Sequence, residues 1–436
     1  MSTVVVTDIS DVPLEQLLGL FSTLPGFVWL DSSDTHATQS RHSYIAACPI
    51  ATIDSSANRE ELCQFLARWT SQPGSQNPEF SGMIAGFIGY EAPKKWALPE
   101  LSKVKFHTHP RWPDYLLGVY PVVVRVDHAT QSTQLFVNTE ITKESPSEWI
   151  SRIRSAPTHI HETPLLHLAT DFSERARFTE SVSRVQHYIS DGDIYQLNLT
   201  RQITATLTQG GPLDVYLSMR NENPSPFGAY IDLGTFQILS MSPELLFNIT
   251  NGTVETRPIK GTLKRSGISD TQEAQQLLKS TKDTSELMMI VDLLRNDLSR
   301  ICLPGSVKVP ELKTIETYAT LHHLVSTVRG QLKPHISPID ILDALFPGGS
   351  ITGAPKIRAM ELIGQIESIP RSVYTGAIGY FGLNGNSQFN IAIRTAIHDN
   401  GVIAYHTGCG IVADSIPESE WEESMTKSLA FEKLCQ

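Results

Sequence analysis

The sequence predicts an α+β fold. Strand-like and helix-like segments occur in blocks and do not alternate strictly, which argues against a doubly wound parallel sheet. From residue 376 onward, strand-like runs are joined by the short turns Asn384-Gly385 and Asp399-Asn400-Gly401. Such turns are typical of antiparallel hairpins, so we expect a meander near the C-terminus.

The N-terminal part combines strands and helices and ends in a linker. Val- and Tyr-rich runs indicate the strands, and a looser 3.6-residue periodicity indicates the helices. The predicted elements are strands at 115–127 and 134–137 and helices at 14–24 and 59–69. A stretch rich in Pro, Thr and His, APTHIHETP, favours a linker at 141–172. This linker divides an N-terminal segment, 1–140, from a second domain, 173–436.

The second domain has more regular patterns. Ser173 is a candidate N-cap for a helix whose apolar residues repeat at helical spacing: Phe178, Val182, Val185 and Ile189. The dipeptide Ser337-Pro338 places an N-cap before proline at the first helical position, which predicts a helix to residue 346. The other predicted elements are a strand at 194–203, strands within 236–256 interrupted at 242–244 and 251–252, and helices at 284–300 and from about 418.

Composition limits the possible partners and compartments. Asp and Glu total 46 against 35 Lys and Arg, so the net charge is −11 and the overall field does not attract nucleic acid or anionic lipid. The five cysteines show no CxxC spacing, which argues against a disulfide scaffold or zinc ribbon. We see neither a signal peptide nor an apolar run near the ~20 residues that span a bilayer. We therefore expect a cytoplasmic protein with no nucleic-acid or membrane partner.

Two pairs of acidic residues could bind a metal ion. Asp283 and Glu286 lie three residues apart on one predicted helix, and Glu420 and Glu423 lie three apart on the last helix. Residues at i and i+3 share a helical face, so each pair can aim at one point. Converging carboxylates would need a hard divalent cation, and oxygen ligands favour Mg²⁺. The alternative is that both pairs are solvated helix faces.

A glycine-rich loop leads into a helix at 346–360, FPGGSITGAPKIRAM. Free backbone N–H groups at a helix start, with Lys356 and Arg358 close by, can form an anion site. The alternative is a plain turn with basic residues at the surface. The lysine does not directly follow the second glycine, so the loop is not a Walker motif.

Four single residues have two interpretations each. Arg394 lies in a predicted strand, 390–397, where it could bind a carboxylate in bidentate fashion or form an internal salt bridge. Lys260 is a base or nucleophile if desolvated, and otherwise a surface lysine. His323, in an apolar run, is either a core residue or a general acid or base. Glu244 has the same ambiguity.

The motifs in their order resemble the chorismate-utilising enzyme family. The match covers about 173–435, and YIAACPIATI (44–53) resembles the family's N-terminal segment. The motifs are SPELL (242–246), RPIKGT (257–262), DTSELMMIVDLLRNDL (283–298), HHLVS (322–326), FPGGSITGAPKIRAMELI (346–363), YTGAIGYFG (374–382), IAIRTA (391–396), TGCGIVADS (407–415) and PESEWEES (417–424). The resemblance implies a large antiparallel β-sandwich-like core with helices packed outside.

The resemblance also implies roles for the metal and substrate residues. Glu286 and Glu423 would hold Mg²⁺, and Asp283 and Glu420 would complete its shell through waters. The residues that would bind the carboxylates of chorismate are Arg394 and Tyr374 for the enolpyruvyl group and Gly408, Gly410 and Lys427 for the other carboxylate. Ser350 would also line the substrate site.

The catalytic residues implied are Lys260, Glu244 and His323. Lys260 would be a nucleophile, Glu244 the general acid for the departing C4 hydroxyl, and His323 would assist orientation or proton handling. Anthranilate-forming relatives carry alanine in place of this lysine, and isochorismate-forming relatives have a water-activating lysine where this sequence has Gln196. The resemblance therefore implies amination of chorismate at C4, in the folate and para-aminobenzoate branch of the family.

The ammonia for this reaction would come from a separate glutamine amidotransferase subunit, because nothing in the sequence resembles a glutaminase. Some relatives bind tryptophan in the N-terminal part, and Ser32 lies near the matching place. Two alternatives stay open. One is the anthranilate-forming activity, which releases pyruvate, and the other is a non-catalytic subunit that binds chorismate or an amino acid. The sequence gives no oligomeric state.

Overall fold

The structure is a computed structural model that describes residues 4–34, 41–71, 80–96, 99–169, 171–265, 270–317 and 321–435. Its helices are α1 (Leu14–Phe21), α2 (Arg59–Trp69), α3 (Pro93–Trp96), α4 (Pro146–Ser155), α5 (Glu174–Ser190), α6 (Pro212–Glu222), α7 (Asp270–Lys279), α8 (Thr281–Ile301), α9 (Pro338–Leu345), α10 (Lys356–Ile366) and α11 (Pro417–Glu432).

The strands form two sheets of antiparallel pairs. The first sheet has 12 strands, in the order β1 (Val4–Asp8), β8 (Ser132–Asn138), β7 (Val122–Asp127), β3 (His42–Ala46), β2 (Phe27–Asp31), β11 (Phe227–Asp232), β12 (Gln237–Ser242), β21 (Thr395–Asp399), β22 (Val402–Ile411), β10 (Gln196–Gln209) and β18 (Gly353–Ala354), with β9 (Leu165–Leu168) also beside β10. The second has 10 strands, in the order β15 (Ile259–Lys264), β17 (Leu321–Gln331), β14 (Thr253–Arg257), β13 (Leu245–Thr250), β20 (Ser387–Asn390), β19 (Ala377–Gly382), β5 (Met83–Ile88), β6 (Tyr115–Tyr120) and β4 (Ala51–Asp54), with β16 (Lys308–Thr317) beside β17.

The two sheets pack against each other, and helices cover their outer faces. One buried cluster joins Val28 and Ala229 of the first sheet to Phe87 and Ile378 of the second. A second cluster packs α1, α4, α6 and α11 against the first sheet, and a third packs α2, α5, α8, α9 and α10 against strands of both sheets. This arrangement confirms the predicted α+β sandwich. It also brings α11 next to β22, the strand that carries Gly408 and Gly410.

Strands from both halves of the chain are neighbours in each sheet. β2 pairs with β11 in the first sheet, and β5 pairs with β19 in the second. The stretch predicted as a linker contains α4 and β9. The division at 141–172 stays a prediction, but each sheet is built from strands on both sides of it.

Two predicted strands are wrong because the chain passes from one sheet to the other within them. Residues 115–127 divide at Pro121 into β6 and β7, since proline has no N–H for a ladder. Residues 390–397 are not continuous either: β20 ends at Asn390, β21 begins at Thr395, and Arg394 between them has a φ of +51°. The interruption predicted at 242–244 is confirmed, because β12 and β13 belong to different sheets.

Most helix predictions are confirmed by their caps and buried faces. The side chain of Ser337 accepts from the Asp340 N–H, with Pro338 in the first turn of α9. Ser173 does precede α5, but its hydroxyl donates to Asp171 at 2.7 Å and does not cap the helix. The N-cap interaction predicted for Ser173 is therefore wrong, while the apolar face of α5 is buried as expected.

Candidate active site

Two adjacent crossovers between the sheets carry Glu244 and Arg394. The hydroxyl of Ser242 donates to the Ile391 carbonyl at 2.6 Å, and the Ile391 N–H donates to the Glu244 carbonyl at 3.0 Å. The Met241 N–H donates to the Arg394 carbonyl, also at 3.0 Å. These backbone hydrogen bonds hold the two segments side by side where the sheets meet.

Lys260 lies where three separate motifs converge. It belongs to β15, and its Nζ is 3.9 Å from Oε2 of Glu286 on α8, with both side chains about 85% buried. A Cβ added at Gly410 of β22 would lie 3.8 Å from the same Nζ. The lysine is therefore not a surface residue, which favours its interpretation as a base or nucleophile.

Glu244 faces this lysine from the crossover. Its side chain is buried, and burial raises the pKa of the carboxyl, while the Ser350 hydroxyl, the Lys260 ammonium and the Ile259 N–H offset part of that rise. The Ser350 hydroxyl lies near this carboxyl without a well-formed hydrogen bond, and among the described residues neither Glu244 Oε1 nor Ser350 Oγ has another partner. A raised pKa favours the protonated carboxyl, which can donate a proton.

The predicted metal ligands form two pairs. Glu420 and Glu423 of α11, together with Cys409 of β22, place one ligand atom each within 4.8 Å of the others. Asp283 lies with Glu286 on α8, and a Cβ at Gly261 would lie 2.9 Å from Asp283 Cγ. In the part of the chain that the structure describes, the group of three does not include the α8 pair.

The α11 carboxylates already have polar neighbours. Ser415 donates to Glu420 at 2.7 Å, and Lys427 contacts both Glu423, at 2.8 Å, and the carbonyl of Gly408, at 3.0 Å. Both α8 and α11 thus present carboxylate oxygens next to a lysine ammonium. Oxygen donors of this kind fit a hard divalent cation such as Mg²⁺.

His323 of β17 is buried beside the same residues. Burial and the Arg394 guanidinium lower the pKa of its imidazole to about 3, although the facing backbone of Gly261 acts in the opposite sense. The ring is therefore neutral near pH 7. A neutral ring can orient a polar group or accept a proton, but it cannot serve as an imidazolium.

Tyr374 and Arg394 have well-defined partners. The Tyr374 ring is buried and stacks on His406, with centroids 5.2 Å apart and planes at 14°. Burial raises the pKa of the Tyr374 hydroxyl, so it stays protonated. Nη1 of Arg394 donates to Asn223 at 3.3 Å. His406 was not predicted from the sequence, although it lies two residues before Gly408 on a strand, which is the spacing of side chains on one face.

The two basic residues after the glycine-rich loop are paired with acids. Nζ of Lys356 is 2.7 Å from Asp297, and Arg358 lies 2.8 Å from both Asp193 and Glu361. Neither cation needs an anion for charge balance. The anion site suggested for this loop is therefore not supported by its geometry, and Ser350 near Glu244 is the part of the loop that faces the site.

Ser32 belongs to a different place, between the sheets. Its hydroxyl lies 2.9 Å from the carbonyl oxygens of His42 and Pro226. The surrounding cavity is also lined by Tyr44 and Tyr380. Glu286, Glu244 and Gly410 lie around Lys260, and Ser32 is not part of that group.

Within the described ranges, no helix is long and apolar enough to cross a bilayer.

Comparison with known proteins identifies the family of this chain. A family described as "chorismate binding enzyme" matches residues 26–433. The chain is 35% identical over 430 residues to "Aminodeoxychorismate synthase component 1" of Escherichia coli, covering 93% of this chain and 92% of that protein. It is 32% identical over 434 residues to "Anthranilate synthase component 1" of Methanothermobacter thermautotrophicus, covering 96% and 91%. The crystal structure of anthranilate synthase component I from Streptococcus pneumoniae superposes with a TM-score of 0.77 at 29% identity, covering 91% of this chain and 93% of that one. The chain belongs to the chorismate binding enzyme family.

Proposed function

We propose that the protein aminates chorismate at C4 to give 4-amino-4-deoxychorismate, in the route to para-aminobenzoate. The observation that carries this proposal is the position of Lys260, a buried lysine between Glu286, Glu244 and Gly410. A nucleophilic amine in this position is what a double-displacement route needs. The E. coli relative named as an aminodeoxychorismate synthase component supports the same choice.

The proposed reaction has two allylic displacements. The neutral amine of Lys260 attacks ring carbon C2, the ring double bonds shift, and the C4–O bond breaks as Glu244 donates a proton, so the hydroxyl leaves as water. Ammonia then attacks C4, the double bonds shift back, and the C2–N bond to Lys260 breaks. The balance is chorismate plus ammonia to 4-amino-4-deoxychorismate plus water, which places the new nitrogen on C4.

Other residues would bind and orient the substrate. Arg394 and Tyr374 would hold the enolpyruvyl carboxylate, and the backbone N–H groups of Gly408 and Gly410 with Lys427 would hold the second carboxylate region. Fixing both ends aligns C2 with Lys260, and orientation of this kind can supply a large part of a rate enhancement. Neutral His323 would accept a hydrogen bond or orient the ring.

The α8 and α11 carboxylates would hold Mg²⁺, with Glu286 and Glu423 as direct ligands and Asp283 and Glu420 through water. When bound, the ion would neutralise charge on the ring carboxylate. Lys260 and Lys427 contact Glu286 and Glu423, so both carboxylates already lie in cationic surroundings.

The ammonia would be supplied by a separate glutamine amidotransferase subunit. The words "component 1" in the names of several relatives support a second component. We keep tryptophan at Ser32 as a proposal, although the cavity there has room for only about one water molecule. An indole would require the sheets to separate locally.

A product assay tests the proposal. The purified chain is incubated with chorismate, Mg²⁺ and ammonium, and the products are identified by chromatography and mass. We expect 4-amino-4-deoxychorismate without pyruvate. Anthranilate with pyruvate would instead establish the activity named for the M. thermautotrophicus relative. Ligand binding without turnover, even with a glutaminase subunit added, would favour the non-catalytic alternative.

The covalent step has its own test. Lys260→Ala should slow product formation by at least ~100-fold, as loss of a nucleophile does. The exposed Lys433 pairs only with Glu222 at 3.7 Å among the described contacts, so Lys433→Ala is the matched control and should keep its activity. Denaturing mass spectrometry with chorismate and no ammonium should show wild-type protein carrying chorismate minus water. Turnover by Lys260→Ala near the wild-type rate would remove the covalent route.

A further inference from the structure

His406 is a buried histidine that the proposed mechanism does not use. It lies on β22, four residues before Gly410, and is 3% exposed. Side chains at i, i+2 and i+4 of a strand share a face, so His406 faces the same side as Gly408 and Gly410. That is the side on which an added Cβ at Gly410 would meet Lys260.

Of the two ring nitrogens of His406, Nε2 has a hydrogen-bond partner and Nδ1 has none among the described residues. Nε2 of Gln202 lies 3.2 Å from Nε2 of His406. An amide nitrogen can only donate, so with the Gln202 amide in this orientation the ring nitrogen accepts. The ring proton therefore sits on Nδ1. Nδ1 is buried and has no hydrogen-bond partner among the described residues. Native proteins leave few buried donors unpaired because such groups are costly.

The ring is also fixed in orientation. It stacks on Tyr374 with centroids 5.2 Å apart and planes at 14°. Burial lowers the pKa of the imidazole to about 3, so the ring stays neutral and keeps a single N–H. His406 therefore presents a fixed, neutral N–H donor beside Tyr374, which we propose binds a substrate carboxylate. A bound ligand could accept the hydrogen bond that this N–H lacks.

We infer that His406 is a further substrate-binding residue whose Nδ1–H donates a hydrogen bond to a carboxylate of the bound ring dicarboxylate. The identity of that ligand rests on the proposed function. The N–H that is unpaired in the free protein would then donate a hydrogen bond to a ligand oxygen in the complex.

Two substitutions of His406 distinguish the contribution of the Nδ1–H donor from that of the aromatic ring. His406→Phe keeps an aromatic ring against Tyr374 and removes the N–H. His406→Asn removes the ring but keeps an amide near the Nδ1 position. We expect the Phe variant to weaken chorismate binding by about tenfold or more, as loss of a hydrogen bond to a charged group does. The Phe variant removes the unpaired buried donor but also the acceptor of the Gln202 amide, so its Tm without ligand should stay close to that of wild type. The Asn variant should bind within about threefold of wild type.

Binding is measured by calorimetry with chorismate and Mg²⁺, with each His406 variant placed in a Lys260→Ala background that cannot form the covalent adduct. His398→Phe is the matched control, because both ring nitrogens of His398 are paired, with Gln237 at 2.6 Å and Gly401 at 3.2 Å. This control should lower Tm and leave the Kd for chorismate unchanged. Wild-type Kd in His406→Phe, or a lowered Tm with equal loss of binding in both His406 variants, would overturn the inference. A wild-type protein that binds chorismate but forms another product would contradict only the proposed function, and one that binds no chorismate would contradict both.

Discussion

Gly410→Ala tests whether the glycine on β22 is required by the packing around Lys260. The added Cβ would lie 2.4 Å from Nε2 of Gln196 and 3.8 Å from Nζ of Lys260. An ordinary contact needs about 3.5 Å, so the Gln196 amide must retreat by roughly 1 Å, while the lysine need not move at all. Gln196 is 1% exposed, which leaves it no solvent-filled space to enter.

The size of the effect follows from that displacement. Overpacking a filled interior costs about 1–3 kcal/mol, so Tm should fall by several degrees. A shift of about 1 Å in groups that border the reacting atoms can cost ~100-fold in rate. We therefore expect kcat/KM for chorismate, measured with Mg²⁺ and ammonium, to fall between ten- and a hundredfold.

A second substitution identifies the clash. Adding Gln196→Ala to Gly410→Ala removes the colliding amide, so Tm should recover and the two changes should couple by about 0.5–3 kcal/mol. Gly408→Ala is the control, because its Cβ would meet the Leu199 carbonyl oxygen at 2.5 Å, which is backbone and cannot yield. Gln196→Ala should not rescue it. A Gly410→Ala protein with wild-type Tm and kcat/KM would refute the packing argument.

Three further predictions concern other groups. Burial raises the pKa of Glu91 to about 8, so the folded protein holds a proton that the unfolded chain loses above about pH 4.5. Stability should therefore fall by up to ~1.4 kcal/mol per pH unit as pH rises from 5 to 8, and Glu91→Gln should flatten the plot of Tm against pH in that window. Lys356→Met leaves buried Asp297 without its 2.7 Å partner and should cost about 3–5 kcal/mol in urea unfolding, whereas a loss below 1 kcal/mol would mean that the pair is not desolvated. Glu423→Gln should raise the Mg²⁺ concentration for half-maximal activity by about tenfold or more, and an unchanged magnesium titration would remove Glu423 from the ligand set.

Local features of the fold were predictable from the sequence because their causes are local. The capping box at Ser337 and the apolar face of α5 each depend on residues within a few positions. The passages between sheets were not predictable in the same way. No residue near position 121 indicates that β6 and β7 belong to different sheets, because the sheet that a strand joins depends on pairing strands far along the chain.

The candidate site shows the same limit. Residue spacing alone suggested that Asp283 with Glu286 and Glu420 with Glu423 would share helical faces, which follows from the geometry of one helix. It could not place Lys260 beside Glu286, because that contact joins a strand to a separate helix. Resemblance to a family supplied this grouping. Neither source indicated His406, whose environment depends on the ring of Tyr374 and the amide of Gln202.

The mixed strand order of the two sheets has a consequence for how the chain matures during synthesis. β2 needs β11 and β5 needs β19, so neither sheet can close until most of the polypeptide has left the ribosome. Until then the early strands present open edges, which are prone to pair with other chains. Distant pairings of this kind also fold slowly. A late translation pause, or a truncated transcript, should therefore give aggregation rather than a folded N-terminal fragment. The need for chaperones should increase with the number of residues that remain to be synthesised.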